Sequence, residues 1–280
     1  MRRARTGNDP GGGVFDTHLH LDQLPAEAQV LGEAWEGALV PGLDLPQALR
    51  ARERFGADPR LRFALGLHPW WLAPRGALPP DPGDDPRFAA LGAALAEGGW
   101  AAVGETGLDR PYAQDAAVLA VQGRWFDAHM ALAARHRLPV VLHCVRAHGL
   151  AQGVARSQRD VCGVVHAYGG SVEEARVWVG LGWCVGIGVS LTWPDAHRVR
   201  EVAAWAPWDA LVVETDAPYQ SVHGTPRGEG EPAGLGAVLR ALAALRGVSL
   251  EEAQARTAAT ARRLFGGGGE GDVSRTAPVT

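Results

Sequence analysis

Short apolar runs recur along the chain, and segments with helical spacing separate them. Eight of these runs are predicted as strands, at residues 14–18, 38–42, 62–68, 101–107, 139–144, 163–168, 184–189 and 211–216. Each run is almost continuously hydrophobic, which is typical of strands buried on both faces of a parallel sheet. Apolar residues repeat with helical spacing in the segments between them, for example at 43–56 and 117–137.

This alternation of eight strands with helices predicts an α/β protein with a (β/α)8 TIM barrel. A doubly wound open sheet is the alternative, but the chain has no glycine-rich phosphate turn of the kind that such sheets carry. Ser171 with Glu174 and Ser249 with Glu252 have the spacing of capping boxes. They predict the first turns of two later helices.

One barrel domain is predicted, over residues 14–265. Residues 1–13 and the glycine-rich residues 266–280 are expected to be disordered tails. The proline-rich stretch 73–86 is too long for a minimal connection after the third strand. It is either a rim loop beside the functional site or a tolerated insertion.

Polar residues with metal-binding side chains stand where the predicted strands end. They are His18, His20, His68, Glu105, His143, His166 and Asp216. The C-terminal strand ends of a TIM barrel converge on one mouth, and burying so many ionisable groups without partners is strongly unfavourable. Four histidines and two carboxylates suit two metal ions better than one, so the sequence predicts a metal site at this end of the strands.

The stretch "VFDTHLHLD" at 14–22 adds to this prediction. In a strand, alternate side chains point to the same side, so His18 and His20 are expected to point together. Such a pair is either a metal-binding pair or part of a solvent-facing strand edge. The other polar residues at the strand ends favour the metal.

Composition narrows the function classes. The net charge of −4 excludes a broadly basic surface that coats nucleic acid. Three cysteines without CxxC spacing argue against a disulfide scaffold or a structural zinc site, and they fit a cytoplasmic protein. No signal peptide is predicted, no run reaches the ~18 apolar residues of a membrane span, and no obligate protein partner is indicated.

Six motifs follow one another in a family-specific order. They are "DTHLHLD" (16–22), "GLHPW" (66–70), "GETGLD" (104–109), "LPVVLHC" (138–144), "GVVHAYGGS" (163–171) and "ETDAPY" (214–219). From about residue 14 to 265 the chain resembles the TatD-type metal-dependent deoxyribonucleases, a branch of the amidohydrolase superfamily. Several relatives in that superfamily bridge two metals with a carboxylated lysine. This chain has no lysine, so a carboxylate must serve instead.

The resemblance implies two divalent ions (Mg²⁺, Mn²⁺ or Zn²⁺) in the barrel mouth. His18 and His20 would hold the first ion, and Glu105 would bridge to a second. His143 and His166 would complete the second ion's ligands. Asp216 would bind the first ion and orient or deprotonate the attacking water, which makes Asp216 and Glu105 the expected catalytic residues.

Four further residues are candidates for substrate binding. By resemblance, His68 would lie beside the substrate phosphate. Arg146 follows His143 by three positions instead of the family's two, and its phosphate-binding role is therefore an open alternative. Arg110 either meets a phosphate or is solvated. Trp70 (with Trp71 and Trp193 nearby in the predicted mouth) either stacks on a base or packs.

Three functions remain in view. The first is a metal-dependent hydrolase of ester bonds that trims single-stranded DNA from its 3′ end, as the resemblance implies. An acidic protein with a narrow mouth suits a strand end better than a wrapped duplex. The second is a hydrolase of a small ester or amide, or of D-aminoacyl-tRNA esters, that uses the same site. The third is a catalytically silent metal-binding scaffold.

Overall fold

A computed structural model describes residues 13–29, 31–75 and 77–266. The two predicted tails therefore lie outside the described residues, apart from Gly13 and Gly266. Eight strands are present in the described part: Val14–Asp16 (β1), Trp35–Val40 (β2), Leu61–Leu65 (β3), Ala102–Asp109 (β4), Val140–Val145 (β5), Gly163–Val165 (β6), Cys184–Ile187 (β7) and Leu211–Val213 (β8).

The strands form one parallel sheet in the order β1 to β8. The last strand then returns to the first. Thr17 N–H donates to Val213 O at 3.1 Å, and Asp216 N–H donates to the carbonyl of His18 at 2.8 Å. These bonds bring the sheet round on itself, and the predicted (β/α)8 TIM barrel is confirmed.

Helices connect the strands and cover the outside of the barrel. In the described part they are Leu45–Phe55 (α1), Pro86–Ala96 (α2), Arg110–Ala113 (α3), Ala116–His136 (α4), His148–Ser157 (α5), Val172–Gly180 (α6), His197–Trp205 (α7), Gly234–Arg246 (α8) and Leu250–Phe265 (α9). None of these helices is long and apolar enough to cross a membrane.

Several strands end earlier than the hydrophobic runs predict. The predicted ends at 18, 168 and 216 are wrong, because β1, β6 and β8 stop at 16, 165 and 213. At these ends side-chain carboxylates replace carbonyl groups as acceptors. Asp16 accepts the N–H groups of His18 (3.0 Å) and Thr215 (3.1 Å), and Glu214 accepts that of Ala167. The backbone N–H groups are satisfied without a strand ladder, so the chain is free to turn.

The two predicted helix caps differ. At Ser171 both halves of the capping box form, because Ser171 and Glu174 each accept the other's backbone N–H. At Ser249 only the hydroxyl half forms, with Glu252 N–H at 3.1 Å. The Glu252 carboxylate is instead bound to Arg256, one helical turn further on, at 2.9 Å. The prediction that Ser249 and Glu252 form a complete capping box is therefore wrong.

The inside of the barrel is divided into two halves. Toward the N-terminal ends of the strands, the interior side chains are apolar and pack on the last turns of α9. They are Phe15, Leu39, Ala64, Ala102, Val141, Val164, Cys184 and Val212, against Ala258, Ala261, Leu264 and Phe265. Two positions further along β5, Val141 is followed on the same face by His143. The other half of the interior is polar, and it holds the candidate site.

Candidate metal centre

Glu105 lies at the centre of the polar half of the barrel and is 2% exposed. The register of β4 against β5 shifts between Val103 and Thr106, which is the irregularity that contains this residue. Gly104 makes the irregularity possible. Its φ is +144°, and a Cβ atom there would lie 2.6 Å from Val141 O, so no larger residue fits.

One oxygen of the Glu105 carboxylate faces three histidines. Its Oε1 atom lies 3.2 Å from His68 Nε2, 3.0 Å from His143 Nδ1 and 2.9 Å from His166 Nε2. His143 Nδ1 and His166 Nε2 are themselves 3.1 Å apart. His143 lies within β5, and His68 and His166 follow the ends of β3 and β6, so three parts of the barrel place imidazole nitrogens against the same carboxylate oxygen.

The second oxygen faces the histidine pair that follows β1. Glu105 Oε2 lies 3.2 Å from His18 Nε2 and 3.9 Å from His20 Nε2. Asp216 comes in from the end of β8, with its Oδ1 atom 3.4 Å from His20 Nε2 and 3.8 Å from His18 Nε2. The two Nε2 atoms are 3.2 Å apart. His18 and His20 do converge, but from the loop after β1 and not from within a strand.

The charges in this cluster stabilise one another. Burial by itself would raise the pKa of Glu105, but electrostatic interactions and hydrogen bonds with the surrounding histidines hold that pKa well below its ordinary value. Burial lowers the pKa of His68 to about 4, with a further contribution from the neighbouring His143. Glu105 is therefore ionised and His68 is neutral at pH 7.

His166 and Asp216 carry opposite charges in the same way. Burial would lower the pKa of His166, but the carboxylates of Glu105 and Glu214 raise it well above its ordinary value. Burial would raise the pKa of Asp216, but a hydrogen bond with His20 and the charges of the adjacent histidines lower it to about 2. The ionised Asp216 attracts a cation, and His166 releases its proton when a metal takes the place of that proton.

The donor set fits a divalent metal. Three overlapping groups have ligand atoms within 4.8 Å of one another: His18, Glu105 and His166; His18, His20 and Asp216; His68, Glu105 and His143. Two facing Nε2 atoms, those of His18 and His20, cannot both donate a proton to each other, but both can bind one cation. Imidazole nitrogens and carboxylate oxygens are common ligands of zinc, and they also suit manganese.

Comparisons with known proteins agree with this geometry. The family model for TatD-related DNases matches residues 15–266. The chain belongs to the TatD-related DNase family. The predicted resemblance is therefore confirmed, and the protein is a metal-dependent hydrolase of this family.

One relative is similar in both sequence and structure. The chain is 34% identical over 221 residues to the "uncharacterized metal-dependent hydrolase YjjV" of Escherichia coli K12, covering 75% of this chain and 81% of that protein. The crystal structure of the E. coli TatD homologue YjjV has a TM-score of 0.77 and 29% identity, covering 91% of this chain and 99% of that one.

A second relative carries a more specific name. It is the "3'-5' ssDNA/RNA exonuclease TatD" of Pantoea vagans, 33% identical over 174 residues, which is 59% of this chain and 65% of that protein.

Two carboxylates of this TatD-family protein were missed by the sequence reasoning, and both lie behind histidines. Asp109 Oδ2 lies 3.1 Å from His143 Nε2, and Glu214 Oε1 lies 3.6 Å from His166 Nδ1. Such outer carboxylates orient histidines and raise their basicity as ligands. Both belong to quoted motifs, "GETGLD" and "ETDAPY", which was the signal available in the sequence.

The other residues predicted to bind substrate lie apart from Glu105. Trp70 lies at the rim, 42% exposed, with its ring centroid 5.9 Å from that of His143. Arg110 and Arg146 are both exposed, and Arg110 Nε donates to the backbone carbonyl of Arg146 at 2.9 Å. Arg146 has a left-handed backbone, with φ of 54°. Of the four substrate candidates, only His68 belongs to the cluster around Glu105.

Proposed function

We propose that this TatD-family hydrolase is a divalent-metal-dependent nuclease that removes nucleotides from the 3′ end of single-stranded DNA. The observation that carries the proposal is the carboxylate of Glu105, whose two oxygens face two different sets of histidines. A carboxylate shared in this way suits two adjacent ions. The name of the Pantoea vagans relative supports a nucleic-acid substrate.

In this proposal the metal ligands are His18, His20, Glu105, His143, His166 and Asp216. His68 is a further donor that contacts the same carboxylate oxygen as His143. Two divalent ions in such a site supply an activated water and stabilise charge on the phosphoryl oxygens.

Asp216 is the proposed proton acceptor. Its pKa of about 2 keeps the carboxylate ionised at neutral pH, and its Oδ2 atom accepts a hydrogen bond from Gln220 Nε2 at 2.9 Å. Gln220 therefore fixes the carboxylate with Oδ1 toward the two histidines. Glu105 holds the opposite side of the site. Neither residue forms a covalent intermediate in this proposal. The described chain offers no strongly reactive thiol, because burial raises the pKa of all three cysteines, to about 12 for Cys144 and about 11 for Cys184.

The test is nucleotide release from single strands labelled at the 5′ end, with and without a blocked 3′ end. Purified protein is stripped with a chelator and reloaded with Mg²⁺, Mn²⁺ or Zn²⁺, and bound metal is counted by elemental analysis. We expect activity to depend on added metal, with shortening from the free 3′ end and about two ions per chain in the best case.

Other outcomes would replace the proposal. Release of an amino acid from D-aminoacyl-tRNA, or turnover of small esters without nucleotide release, would keep the metal site and change the substrate. Metal binding without hydrolysis of any of these would indicate a scaffold.

We also propose a reducing, cytoplasmic location, on the observation that Cys144, Cys162 and Cys184 are all free thiols.

A further inference from the structure

The sequence "HPWW" after β3 leaves two large aromatic rings at the surface beside the metal centre. Trp70 is 42% exposed and Trp71 is 41% exposed. All ten tryptophans lie in the described part of the chain, and the other eight are buried or half-buried. Exposing two adjacent indoles is unfavourable in water, which suggests that they serve a ligand.

These rings border a hollow of about 450 Å³. Its walls are Trp70, Trp71, Leu72, Ala73, Pro74, Arg87 and Tyr112. This volume lies in the range of pockets that hold small molecules. Ala73 and Pro74 begin the long proline-rich stretch, so that stretch is in part a rim loop.

The hollow is held rigid by hydrogen bonds. Trp70 stacks on Tyr112 with a centroid distance of 5.5 Å and an angle of 18° between the rings. The Tyr112 hydroxyl donates to Trp70 O at 3.0 Å. On the far wall, Arg87 donates to Trp71 O and Leu72 O at 2.8 and 2.9 Å. A surface fixed in advance loses little entropy when a flat ring settles on it.

The hollow is also joined to the metal centre. Trp70 Nε1 donates to Asp109 Oδ2 at 2.8 Å, and the same oxygen lies 3.1 Å from His143 Nε2. Both indoles pack edge-to-face on His68, with centroid distances of 5.1 Å for Trp70 and 5.7 Å for Trp71. One side chain therefore separates the hollow from Glu105.

Charge distinguishes the occupants that an aromatic hollow could take. The exposed Arg75 guanidinium lies 5.9 Å from the centroid of Tyr112, and Arg87 is part of the wall. The Arg87 guanidinium is already paired with the Asp85 carboxylate, so the charge offered to an occupant is that of Arg75. A purely apolar partner would gain nothing from Arg75, whereas a flat ring that carries a phosphate would use both the aromatic faces and this cation.

We propose that this hollow is a subsite for one nucleobase of the substrate strand, adjacent to the bond that is cleaved, with Trp71 as its main stacking surface. This inference rests on the nuclease function proposed above. A base that stacks here cannot remain in a duplex, so the hollow selects strands with an unpaired end. Stacking tolerates any base, and we therefore expect little dependence on sequence.

The experiment replaces one base at a time near the 3′ end by an abasic residue. With the wild-type protein, we expect one position at which loss of the base lowers kcat/KM roughly 10-fold, through stacking lost at the hollow. With Trp71→Ala, normal strands should already be cleaved roughly 10-fold less efficiently, and the abasic residue should add no further loss. Trp71→Phe keeps a ring and should retain most of the base dependence.

Binding is measured separately from cleavage. Fluorescence anisotropy with phosphorothioate-protected strands should show a Kd about 10-fold weaker for Trp71→Ala than for wild type, and no such difference on the abasic strand. Trp205→Ala is the matched control, because Trp205 lies on the outer helix α7. It should keep the wild-type base dependence. Circular dichroism checks that each variant is folded.

The outcomes separate this inference from the function on which it rests. If no nucleotide is released from any strand, the proposed function fails. The binding comparison alone then decides whether the hollow binds a nucleobase. If the wild type cleaves or binds normal and abasic strands equally at every position, the subsite is wrong. A change of oligomeric state in Trp71→Ala, with unchanged base dependence, would assign the rings to a contact between copies.

Discussion

The two halves of the barrel interior are built from the same strands and do opposite things. Val141 and His143 are two positions apart on β5. The first is fully buried among apolar side chains that α9 closes off, and the second faces Glu105. Apolar burial at one end contributes roughly 25 cal/mol per Å² to folding. The ionisable groups at the other end must be desolvated, which costs free energy, and metal binding by these groups is what offsets that cost in the proposed function. Stability and chemistry are thus separated along a single strand.

The largest effect should come from the polar half. Glu105→Ala removes the carboxylate that has four imidazole nitrogens within 3.2 Å, and Glu105→Gln removes only its charge. Loss of an outer carboxylate typically costs about 10- to 100-fold in metal affinity or activity, so loss of Glu105 itself should cost more than 100-fold. The checks are elemental analysis and the rate of nucleotide release. A Glu105→Ala protein with wild-type metal content would show that the polar half of the barrel does not bind metal through this carboxylate.

The apolar half should respond in stability instead. Phe265 is 1% exposed and lies where α9 closes the barrel, so Phe265→Ala should lower the free energy of unfolding by about 3–5 kcal/mol. Urea unfolding measures this loss, and Phe265→Leu should show a smaller one. Activity per folded molecule should stay near wild type below the transition. A selective loss of metal would mean that the two halves are not independent.

A histidine outside the barrel sharpens the contrast with those inside. His129 on α4 is fully buried; its Nε2 atom accepts Leu67 N–H at 3.2 Å, and Nδ1–H donates to Trp125 O at 2.7 Å. Burial lowers its pKa to about 4. As pH falls below 6.5, His129 takes up a proton in the unfolded chain but stays neutral in the folded protein down to about pH 4. Up to about 3 kcal/mol of the free energy of unfolding is therefore lost by pH 4.

The measurement is urea unfolding at several pH values from 7.5 to 4.5, for wild type and His129→Gln. Subtracting the two curves removes the contribution of the histidines at the metal centre, which both proteins share. The variant should show the shallower loss of stability with acid. Parallel curves would contradict the assignment of this histidine as a neutral packing residue.

A smaller effect is expected at Asp109, which touches both the metal centre and the aromatic hollow. Asp109→Asn weakens the contact to His143 Nε2 and the bond from Trp70 Nε1, and it should lower metal affinity about 10- to 100-fold. Trp70→Phe removes only the indole donor and should have the milder effect. Equal effects of the two variants would show that Asp109 acts through the ring and not through the histidine.

Much of this architecture follows from the pattern of the chain. Parallel burial makes the strands continuous apolar runs, so their number and order can be predicted, and so can the polar residues that follow them. Strand ends cannot be predicted in this way. The pairing shifts within β1 and β4, between Val14 and Phe15 and between Val103 and Thr106, change which alternate positions face inward.

The partners of the site residues depend on the folded arrangement. In the sequence, Trp70 and Asp109 lie 39 positions apart, and His166 and Glu214 lie 48 positions apart. No local spacing relates them. Their motifs could be recognised individually, but Asp109 joins the rim indole of Trp70 to His143 only because the barrel brings β3, β4 and β5 together.

The helix that closes the apolar half is α9, and it contacts β1. During synthesis, Phe15 and Leu39 leave the ribosome long before Leu264 and Phe265, yet they share one cluster. Until residue 265 has emerged, these side chains face water or a chaperone, because the helix that covers them does not yet exist. Completion of the barrel therefore waits for the synthesis of α9, and the long interval before it is when this polypeptide is most exposed to aggregation.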